Sequence, residues 1–321
     1  MQNILVTGGA GFIGSHTVDL LLAKGYNVIV LDNFKSGSMS NLSHVLRNEN
    51  LEVVEGDIRD REIVNEIMRK VDGVIHLAAI VSVDEAISDP RTTFQTNALG
   101  TLNLLEAARK FDIEKFVYAS STAIYGEPKY LPVDEDHPTQ PTNPYGASKL
   151  AGEAFVLAYN WTYGMKTVSL RYFNVYGPRM TSGPYAGVIA KFISAALRNE
   201  PLIIYGDGSQ TRDFIYVTDV ARANLAALKS SETGVFNIGT GRETSINELA
   251  RIILNLTESE CDIKYVDWRP GDIKRSVADI NRAINLLNWR PETELIAGLK
   301  STIMFFRLKY LEMKNNGTWH K

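Results

Sequence analysis

The sequence predicts an α/β protein in which a doubly wound parallel sheet carries a smaller mixed α/β lobe. Short apolar segments alternate with helical stretches as far as Arg171, a pattern typical of repeated strand–helix–strand units. The first apolar segment runs directly into a glycine-rich turn and then into a helical stretch. Beyond residue 173 the alternation fades, and glycine and proline become frequent. A chain of 321 residues is long enough for one large domain and one smaller one.

Each predicted strand of the sheet is short and apolar. The predicted strands span residues 3–7, 27–31, 51–55, 74–77, 116–119 and 168–170. Residues 235–238 are predicted to return to this sheet, and residues 245–256 and 295–314 are predicted to be helical. We therefore expect a first domain over 1–173, with a return near 218–238, and a lobe over 174–217 and 239–314.

The glycine-rich turn after the first strand predicts a dinucleotide site. Two registers fit, Gly9-x-Gly11-x-x-Gly14 and Gly8-x-x-Gly11-x-x-Gly14. Glycines permit a tight turn and let backbone N–H groups and the helix N-terminus approach a pyrophosphate. The strand–turn–helix context is the one that a Rossmann-type fold requires.

The end of the second strand predicts which dinucleotide is bound. Asp32 follows that strand at the distance expected for a carboxylate that accepts hydrogen bonds from a ribose 2′-hydroxyl. A carboxylate there repels a 2′-phosphate, so NAD is favoured over NADP. Lys35 weakens this preference without reversing it.

Tyr145 and Lys149 form a candidate acid/base pair. Their i, i+4 spacing places both side chains on one face of a helix, one turn apart. An ammonium group near a phenol favours the phenolate, so we expect Lys149 to lower the pKa of Tyr145. Such a tyrosine accepts a proton from a sugar hydroxyl near neutral pH.

Composition argues against several other classes of protein. The 34 basic and 37 acidic residues are dispersed and give a net charge of -3, so neither nucleic acid nor an anionic membrane is expected as a partner. No apolar run is long enough for a membrane span, and the N-terminus begins on a strand rather than a signal peptide. Because the single cysteine, Cys261, has no partner for an internal disulfide, we expect a cytoplasmic location. No metal site is expected, and His76 is predicted to be a core residue.

Across roughly residues 2–310 the chain resembles the extended short-chain dehydrogenase/reductase family, and most closely its UDP-sugar 4-epimerases. The matching segments are residues 7–14, 32–33, 56–58, 76–79, 120–126, 145–149, 171–174, 212–217 and 269–272. Their order and separation carry the resemblance, because no single segment is specific alone.

The resemblance implies roles for individual residues. The implied catalytic residues are Ser121, which bonds the sugar 4-hydroxyl, Tyr145, the general base and acid, and Lys149, which also holds the nicotinamide ribose. The implied NAD-binding residues are Gly8, Gly11, Phe12, Ile13, Gly14, Asp32, Asn33, Asp57, Ile58, Leu77, Ala78, Ala79, Asn97, Ser120, Tyr145, Lys149 and Tyr172. The implied substrate-binding residues are Ser82, Ser121, Asn174, Val188, Tyr205, Arg212, Arg269, Asp272 and Ser276.

The same resemblance separates this chain from relatives with other reactions. Nucleotide-sugar 4,6-dehydratases carry an Asp-Glu pair directly after the catalytic serine or threonine, where this chain has Thr122 and Ala123. Nucleotide-glucuronate decarboxylases tend to keep a glutamate at the position of Ala123. Without these acids, oxidation and reduction at carbon 4 remain, and we expect NAD-dependent 4-epimerisation of a UDP-hexose.

The identity of the sugar is less constrained. The implied neighbour of the carbon 2 substituent is Ser276, which is small and leaves room for an N-acetyl group. Many galactose-type members carry lysine at the position of Val81, so a uronate substrate stays open. An NADP-dependent ketoreductase and a non-enzymatic dinucleotide sensor are two further hypotheses that the residues allow. The resemblance also implies a homodimer through the helices around 99–111 and 144–163.

Overall fold

A seven-stranded parallel sheet forms the centre of the molecule. The computed structural model describes residues 1–181, 186–268 and 271–315. The strands are β1 (Asn3–Thr7), β2 (Asn27–Asp32), β3 (Leu51–Glu55), β4 (Gly73–His76), β5 (Lys115–Ser121), β6 (Thr167–Tyr172), β7 (Asn174–Tyr176), β8 (Leu202–Tyr205), β9 (Thr211–Arg212), β10 (Phe214–Tyr216), β11 (Gly234–Ile238), β12 (Thr244–Ser245) and β13 (Ile263–Val266). The sheet order is β11-β6-β5-β4-β1-β2-β3, and every pairing in it is parallel. The predicted Rossmann-type sheet is therefore confirmed.

Helices cover both faces of this sheet and build the smaller lobe. They are α1 (Phe12–Ala23), α2 (Arg61–Met68), α3 (Val83–Ser88), α4 (Pro90–Phe94), α5 (Gly100–Lys110), α6 (Pro144–Tyr163), α7 (Val188–Leu197), α8 (Val217–Lys229), α9 (Ile246–Thr257), α10 (Asn281–Leu287) and α11 (Leu295–Asn315). A π-helical turn, Gln95–Leu99, leads into α5, and short 3₁₀ helices lie at Met39–Leu42 and Thr122–Ile124.

The apolar core is divided according to these layers. Side chains of α1, α8 and α10 pack on one face of the sheet, and those of α2, α5 and α6 pack on the other. A third cluster lies in the lobe, between α7, α9, α11 and the strands β8 and β10. Because both faces are covered, the sheet strands are apolar along their length rather than alternating.

The longest helix beside the site begins and ends where its sequence dictates. Asn143 accepts a hydrogen bond from the backbone N–H of Gly146 at 2.9 Å, and Pro144 occupies the first turn of α6. Gly164 ends the helix in the left-handed conformation, with φ of 68°. These caps fix the position of the first two turns of α6, which carry Tyr145 and Lys149.

The second part of the chain returns to the sheet as predicted. Strand β11 pairs with β6 along its full length, from Gly234 opposite Val168 to Ile238 opposite Tyr172. The boundary between domain and lobe at residue 173 stays a prediction. Among the helices within the described residues, none combines the length and apolar character needed to cross a bilayer.

Candidate active site

The candidate site lies at the carboxyl edge of the sheet, where the strand order reverses. Strands β1 and β4 are neighbours although two strands separate them in sequence. In open α/β sheets, loops leave this point in opposite directions and open a crevice. The glycine-rich turn follows β1, residues 77–79 follow β4, and Ser120 and Ser121 end β5.

The glycine-rich turn is packed so closely that side chains are excluded from it. Gly8 has φ of +69° and donates its N–H to Leu31 O at 2.8 Å. A Cβ added to Gly14 would lie 2.0 Å from Gly8 O, and one added to Gly8 would lie 2.8 Å from Ala78 N. Helix α1 begins directly after Gly11, without a capping side chain. The N–H groups of its first turn therefore suit an anion such as a pyrophosphate.

Asp32 ends β2 beside this turn. Its buried carboxylate accepts the backbone N–H of Ala10 at 3.0 Å and that of Phe34 at 2.9 Å. Burial raises the pKa of this carboxyl group, and the two backbone hydrogen bonds oppose the rise. The amine of Lys35 is paired with Glu85, which lies on α3. This pairing reduces the attraction of Lys35 for a phosphate near Asp32.

The predicted adenosine-side residues lie together on the next loops. Asn33 Nδ2 donates to Asp57 Oδ2 at 2.9 Å. Arg59 pairs with Asp57 at 2.8 Å and holds the pKa of that carboxyl group at about 2. The side chain of Ile58 is buried in the core against α2 and α5, so this position anchors the loop.

Ser121 and Tyr145 are in contact at the carboxyl end of β5, and Lys149 lies one helical turn beyond Tyr145 on α6. Ser121 accepts a hydrogen bond from Ala123 N at 3.2 Å and so caps the short helix Thr122–Ile124. The Ser121 side chain is also hydrogen-bonded to the Tyr145 phenol. Lys149 is buried, with Nζ 4.3 Å from the centre of the Tyr118 ring. The catalytic role of these three residues stays a prediction.

The expected lowering of the Tyr145 pKa by Lys149 is wrong for the protein by itself, because the pKa of this phenol is raised. Burial raises the pKa of Tyr145 above its ordinary value, and the hydrogen bond to Ser121 opposes this rise. Burial also lowers the pKa of the Lys149 ammonium to about 7, which the Glu153 carboxylate opposes. Because desolvation disfavours both charged forms, the pair stays largely in the neutral phenol state near neutral pH.

Several groups around this centre are fixed by the fold. Asn97 accepts from Ile80 N at 2.8 Å and donates to Ile80 O and Ser148 Oγ, each at 2.9 Å. It thus joins the loop after β4 to α6. The Tyr172 ring is buried, and its hydroxyl donates to Asn224 Oδ1, so this hydroxyl is used within the core.

His76 and Ser120 differ in whether their polar atoms have hydrogen-bond partners within the described residues, which separates a core residue from a candidate ligand contact. His76 is buried, with Nδ1 2.7 Å from the Thr7 hydroxyl and Nε2 2.9 Å from the Thr101 hydroxyl, which confirms its predicted core position. Burial holds its pKa well below the usual range. Ser120 Oγ, by contrast, is buried and has no hydrogen-bond partner within the described residues. An unsatisfied hydroxyl at the same edge of the sheet as the glycine-rich turn fits a polar cofactor in the crevice.

On the lobe side, two predicted substrate residues are bonded to each other. Arg212 pairs with Asp272 at 2.6 Å and donates to Thr211 O at 2.8 Å and Ile273 O at 2.6 Å. Burial lowers the pKa of Arg212, opposed by Asp272 and Glu127. Arg269, the third predicted member of the phosphate clamp, lies outside the described residues.

Most of the remaining predicted substrate residues lie at the ends of helices or strands. Asn174 begins β7 and donates its side-chain amide to Asp213 O at 3.3 Å. Ser82 accepts from Glu85 N at 3.1 Å and caps α3. Val188 begins α7, Tyr205 ends β8, and Ser276 is buried.

Asp213 is a structural hub of the site that sequence reasoning missed. Its fully buried carboxylate accepts the N–H groups of Thr240 at 2.8 Å, Gly241 at 2.9 Å and Ala278 at 3.2 Å. It therefore ties the segment containing Ser276 to the strands of the lobe. The sequence indication was a carboxylate directly before the apolar strand β10. No cluster of three or more potential metal-binding side chains occurs in residues 1–181, 186–268 and 271–315.

The doubly wound sheet, the glycine cradle and the Ser–Tyr–Lys group define an extended short-chain dehydrogenase/reductase. More narrowly, the chain belongs to the family described as GDP-mannose 4,6 dehydratase, whose model matches residues 5–302. The predicted resemblance is thereby confirmed, and with it the prediction of an enzyme of the isomerase class.

Individual relatives narrow the comparison. The chain is 47% identical over 315 residues to a putative UDP-glucose 4-epimerase of Methanocaldococcus jannaschii, covering 98% of this chain and 99% of that protein. A solved UDP-N-acetylglucosamine 4-epimerase from Methanobrevibacter ruminantium, in complex with UDP-N-acetylmuramic acid, has TM-score 0.93 and 41% identity, covering 96% of this chain and 99% of that one. The Thermus thermophilus UDP-glucose 4-epimerase in complex with NAD has TM-score 0.88 and 40% identity, covering 95% of this chain and 99% of that one.

Proposed function

We propose that the chain is an NAD-dependent UDP-hexose 4-epimerase. The observation that carries this proposal is the contact of Ser121 with Tyr145, one helical turn from the buried Lys149, at the sheet edge that also carries the glycine-rich turn, with no acid at Thr122 or Ala123. This group is equipped to oxidise and reduce a secondary alcohol but lacks the acids that elimination of water requires. The names of the relatives support the same reaction.

NAD fits the residues at the sheet edge. The uncapped N-terminus of α1 after Gly11 offers N–H groups to a pyrophosphate, Asp32 suits a ribose 2′-hydroxyl, and Ser120 Oγ offers an unsatisfied hydrogen-bonding group. Lys149 would hold the nicotinamide ribose. When bound, NAD supplies an acceptor that takes the hydride from carbon 4 and gives it back, together with a positive charge that favours the phenolate of Tyr145.

The side chains of the site then move one proton in each direction. Ser121 orients the 4-hydroxyl of the sugar, and Tyr145 takes its proton as the carbon 4 hydride leaves. The product of this half-reaction is a 4-keto sugar still linked to UDP. After the sugar turns over about its phosphate linkage, the hydride returns to the opposite face and Tyr145 returns the proton to the oxygen. Neither proton nor electron pair is consumed overall.

The lobe would hold the UDP part while the hexose turns. Arg212 is mostly buried and already bonded to Asp272, so binding a diphosphate requires exchanging part of that ion pair for phosphate oxygens. Asp272 is then released to contact the ribose. Asn174, Tyr205 and Arg269 complete the predicted grip on the nucleotide.

Ser276 supports acceptance of N-acetyl sugars in addition to UDP-glucose and UDP-galactose. Ser276 is 4% exposed and lies in the segment that Asp213 fixes. The space that its small side chain leaves is therefore bounded by a rigid segment. Ser276→Tyr should abolish turnover of UDP-N-acetylglucosamine and UDP-N-acetylgalactosamine while the plain pair is still converted. Ser276→Ala is the matched control and should keep both. Unchanged selectivity in Ser276→Tyr would refute this assignment.

A uronate substrate is the second candidate. Val81, where many galactose-type members have lysine, is exposed in the loop after β4, so the sugar-facing loop differs from that subgroup. A panel of UDP-glucose, UDP-galactose, their N-acetyl forms and UDP-glucuronate decides between the candidates. Tyr145→Phe should silence every conversion. Full activity of Tyr145→Phe would contradict the mechanism. A ketoreductase, unlike an epimerase, would consume reduced cofactor in a fixed ratio to product.

The assembly we propose is a homodimer through α5 and α6. These helices and the turn before α5 carry exposed apolar side chains, with Trp161 88% exposed and Leu99 and Phe155 also exposed. Sedimentation at several concentrations should give a dimer, and Leu99→Glu combined with Phe155→Glu should give a monomer. A monomeric wild-type protein would exclude this interface. The single cysteine supports the cytoplasm as the place of the reaction.

A further inference from the structure

The polar face of α6 has a third member beyond Tyr145 and Lys149. Glu153 lies one further turn along the helix, and its side chain is only 2% exposed. Residues 145, 149 and 153 therefore form a stripe of three titratable side chains with i, i+4, i+8 spacing. A buried carboxylate requires partners, and those partners show what it does.

The Glu153 carboxylate is held by two residues of β6. Ser169 Oγ donates to Oε2 at 2.8 Å. Arg171 donates through Nη2 to Oε1 at 2.6 Å and through Nε to Oε2 at 3.1 Å, which is a two-pronged contact. Because Ser169 and Arg171 are two residues apart, they lie on the same face of the strand. The carboxylate is thus fixed against the sheet.

The far end of Arg171 is fixed as well. Its Nη1 donates to the Tyr125 hydroxyl at 2.8 Å and to Glu135 O at 2.9 Å, and its guanidinium lies 4.9 Å from the centre of the Tyr125 ring. Arg171 therefore has no freedom to follow a displaced Glu153. The carboxylate keeps one position relative to the turn that carries Lys149.

Lys149 has few sources of stabilisation for its charge. From β5 the Tyr118 ring lies 4.3 Å from Nζ, and from β4 it is faced by His76, which burial keeps neutral. On its own helix it has Tyr145 on one side and Glu153 on the other. Burial lowers the pKa of Lys149 to about 7, and Glu153 is the charged group that opposes this fall.

We propose that Glu153, locked by Ser169 and Arg171, is a positioning residue that favours the ammonium form of Lys149, one helical turn from Tyr145. This inference rests on the proposed function only for its catalytic consequence. Without the carboxylate, the pKa of Lys149 would fall further, so less of the ammonium form would be present near neutral pH, and both its grip on a ribose and its support of a phenolate would weaken. Glu153 touches no reacting atom and acts only through the charge of Lys149.

The test is the titration of Lys149 in three variants. In Glu153→Gln, NMR titration of isotope-labelled lysine, assigned with Lys149→Met, should show the Lys149 pKa lower by about one to two pH units, the size expected for a charge one helical turn away at an effective dielectric constant near 20. The alkaline limb of kcat should move down in pH by the same amount. Ser169→Ala is the matched control, since it removes a hydrogen bond but leaves the carboxylate charge, and it should leave both values in place.

A second variant keeps the test informative if Glu153→Gln does not fold, since that change leaves a buried arginine unpaired. Glu153→Gln combined with Arg171→Gln removes both charges at nearly constant volume, and its Lys149 pKa should lie below that of Arg171→Gln alone, because the single change removes only a repelling cation. A folded Glu153→Gln whose Lys149 pKa and alkaline limb are unchanged, or a double variant whose Lys149 pKa equals that of Arg171→Gln, would overturn the proposal. If the wild type fails to epimerise UDP-sugars while the NMR shift occurs, the proposed function fails and the role of Glu153 stands.

Discussion

Replacing Lys149 by methionine should make the protein more stable while abolishing its reaction. The side chain is 3% exposed, and burial lowers its pKa from 10.5 to about 7. A fall of this size corresponds to about 5 kcal/mol of unfavourable free energy for keeping the ammonium charged in the folded state. Methionine occupies similar space and carries no charge, so this cost disappears.

The net gain is smaller than the electrostatic cost. The contact between Lys149 and the Tyr118 ring, at 4.3 Å, is worth about 1–2 kcal/mol and is lost with the amine. About 3 kcal/mol of stabilisation remains below pH 7. For a chain of 321 residues, the unfolding entropy is roughly 0.7 kcal/mol per kelvin, so Tm should rise by about 4–5 °C.

The effect should depend on pH with a definite sign. The folded pKa of Lys149, about 7, lies below its ordinary value of 10.5, so the unfolded chain binds more protons between these two values. The wild type therefore gains stability from this group as pH rises through that window, and Lys149→Met does not. The advantage of the variant should be full below about pH 7 and vanish near about pH 10.

Thermal unfolding of nucleotide-free protein across this pH range is the assay. Lys110→Met is the matched control, because Lys110 also lies over an aromatic ring, 5.2 Å from the centre of Phe111, but is exposed on α5. Its substitution should change stability by no more than about 0.5 kcal/mol at any pH. The reasoning is refuted if Lys149→Met melts below the wild type in the acidic range, or if its advantage does not change with pH.

Three other predictions concern the cradle and the clamp. Gly14→Ala should lower Tm and abolish NAD binding, because its Cβ would lie 2.0 Å from the carbonyl oxygen of Gly8. Gly187→Ala is the control and should melt like the wild type, because its Cβ would lie 3.9 Å from the nearest atom. Equal Tm values for the two variants would contradict the packing argument. Asp32→Ser should narrow the preference for NAD over NADP by about tenfold or more in binding titrations, and an unchanged ratio would count against its ribose contact. Arg212→Lys should raise KM for UDP-sugars about tenfold with a smaller change in kcat, and the opposite division would remove Arg212 from the phosphate grip.

The central sheet was predictable because its strands are apolar along their whole length. The predicted bounds 3–7 and 51–55 match β1 and β3, and the others differ by one or two residues at an end. The return of residues 235–238 to the sheet was also predicted and is confirmed by the pairing of β11 with β6. In a parallel sheet covered on both faces, each strand is buried on both sides, so it is recognisable in the sequence as a continuous apolar run.

The electrostatics of the site were not predictable to the same extent. The spacing of Tyr145 and Lys149 places them on one helix face, but the sign of the phenol pKa shift depends on how deeply that face is buried. The contact of Glu153 with Arg171 joins residues 18 positions apart and exists only once α6 packs on β6. Local periodicity holds no information on such a pair.

Burial of the stripe formed by Tyr145, Lys149 and Glu153 strengthens the electrostatic effect of Lys149 on Tyr145, and it also destabilises the Lys149 charge. An exposed Lys149 would stay charged at every physiological pH and contribute little to a neighbouring phenol across water, because the field of its charge would be screened. In the dry interior that field is strong, but the charge itself becomes unstable, and its pKa falls to about 7. A fixed carboxylate one turn away opposes this fall in pKa without exposing the ammonium to water. On this argument the ion pair between Glu153 and Arg171 is retained for the ionisation of Lys149, because buried ion pairs by themselves add little to stability.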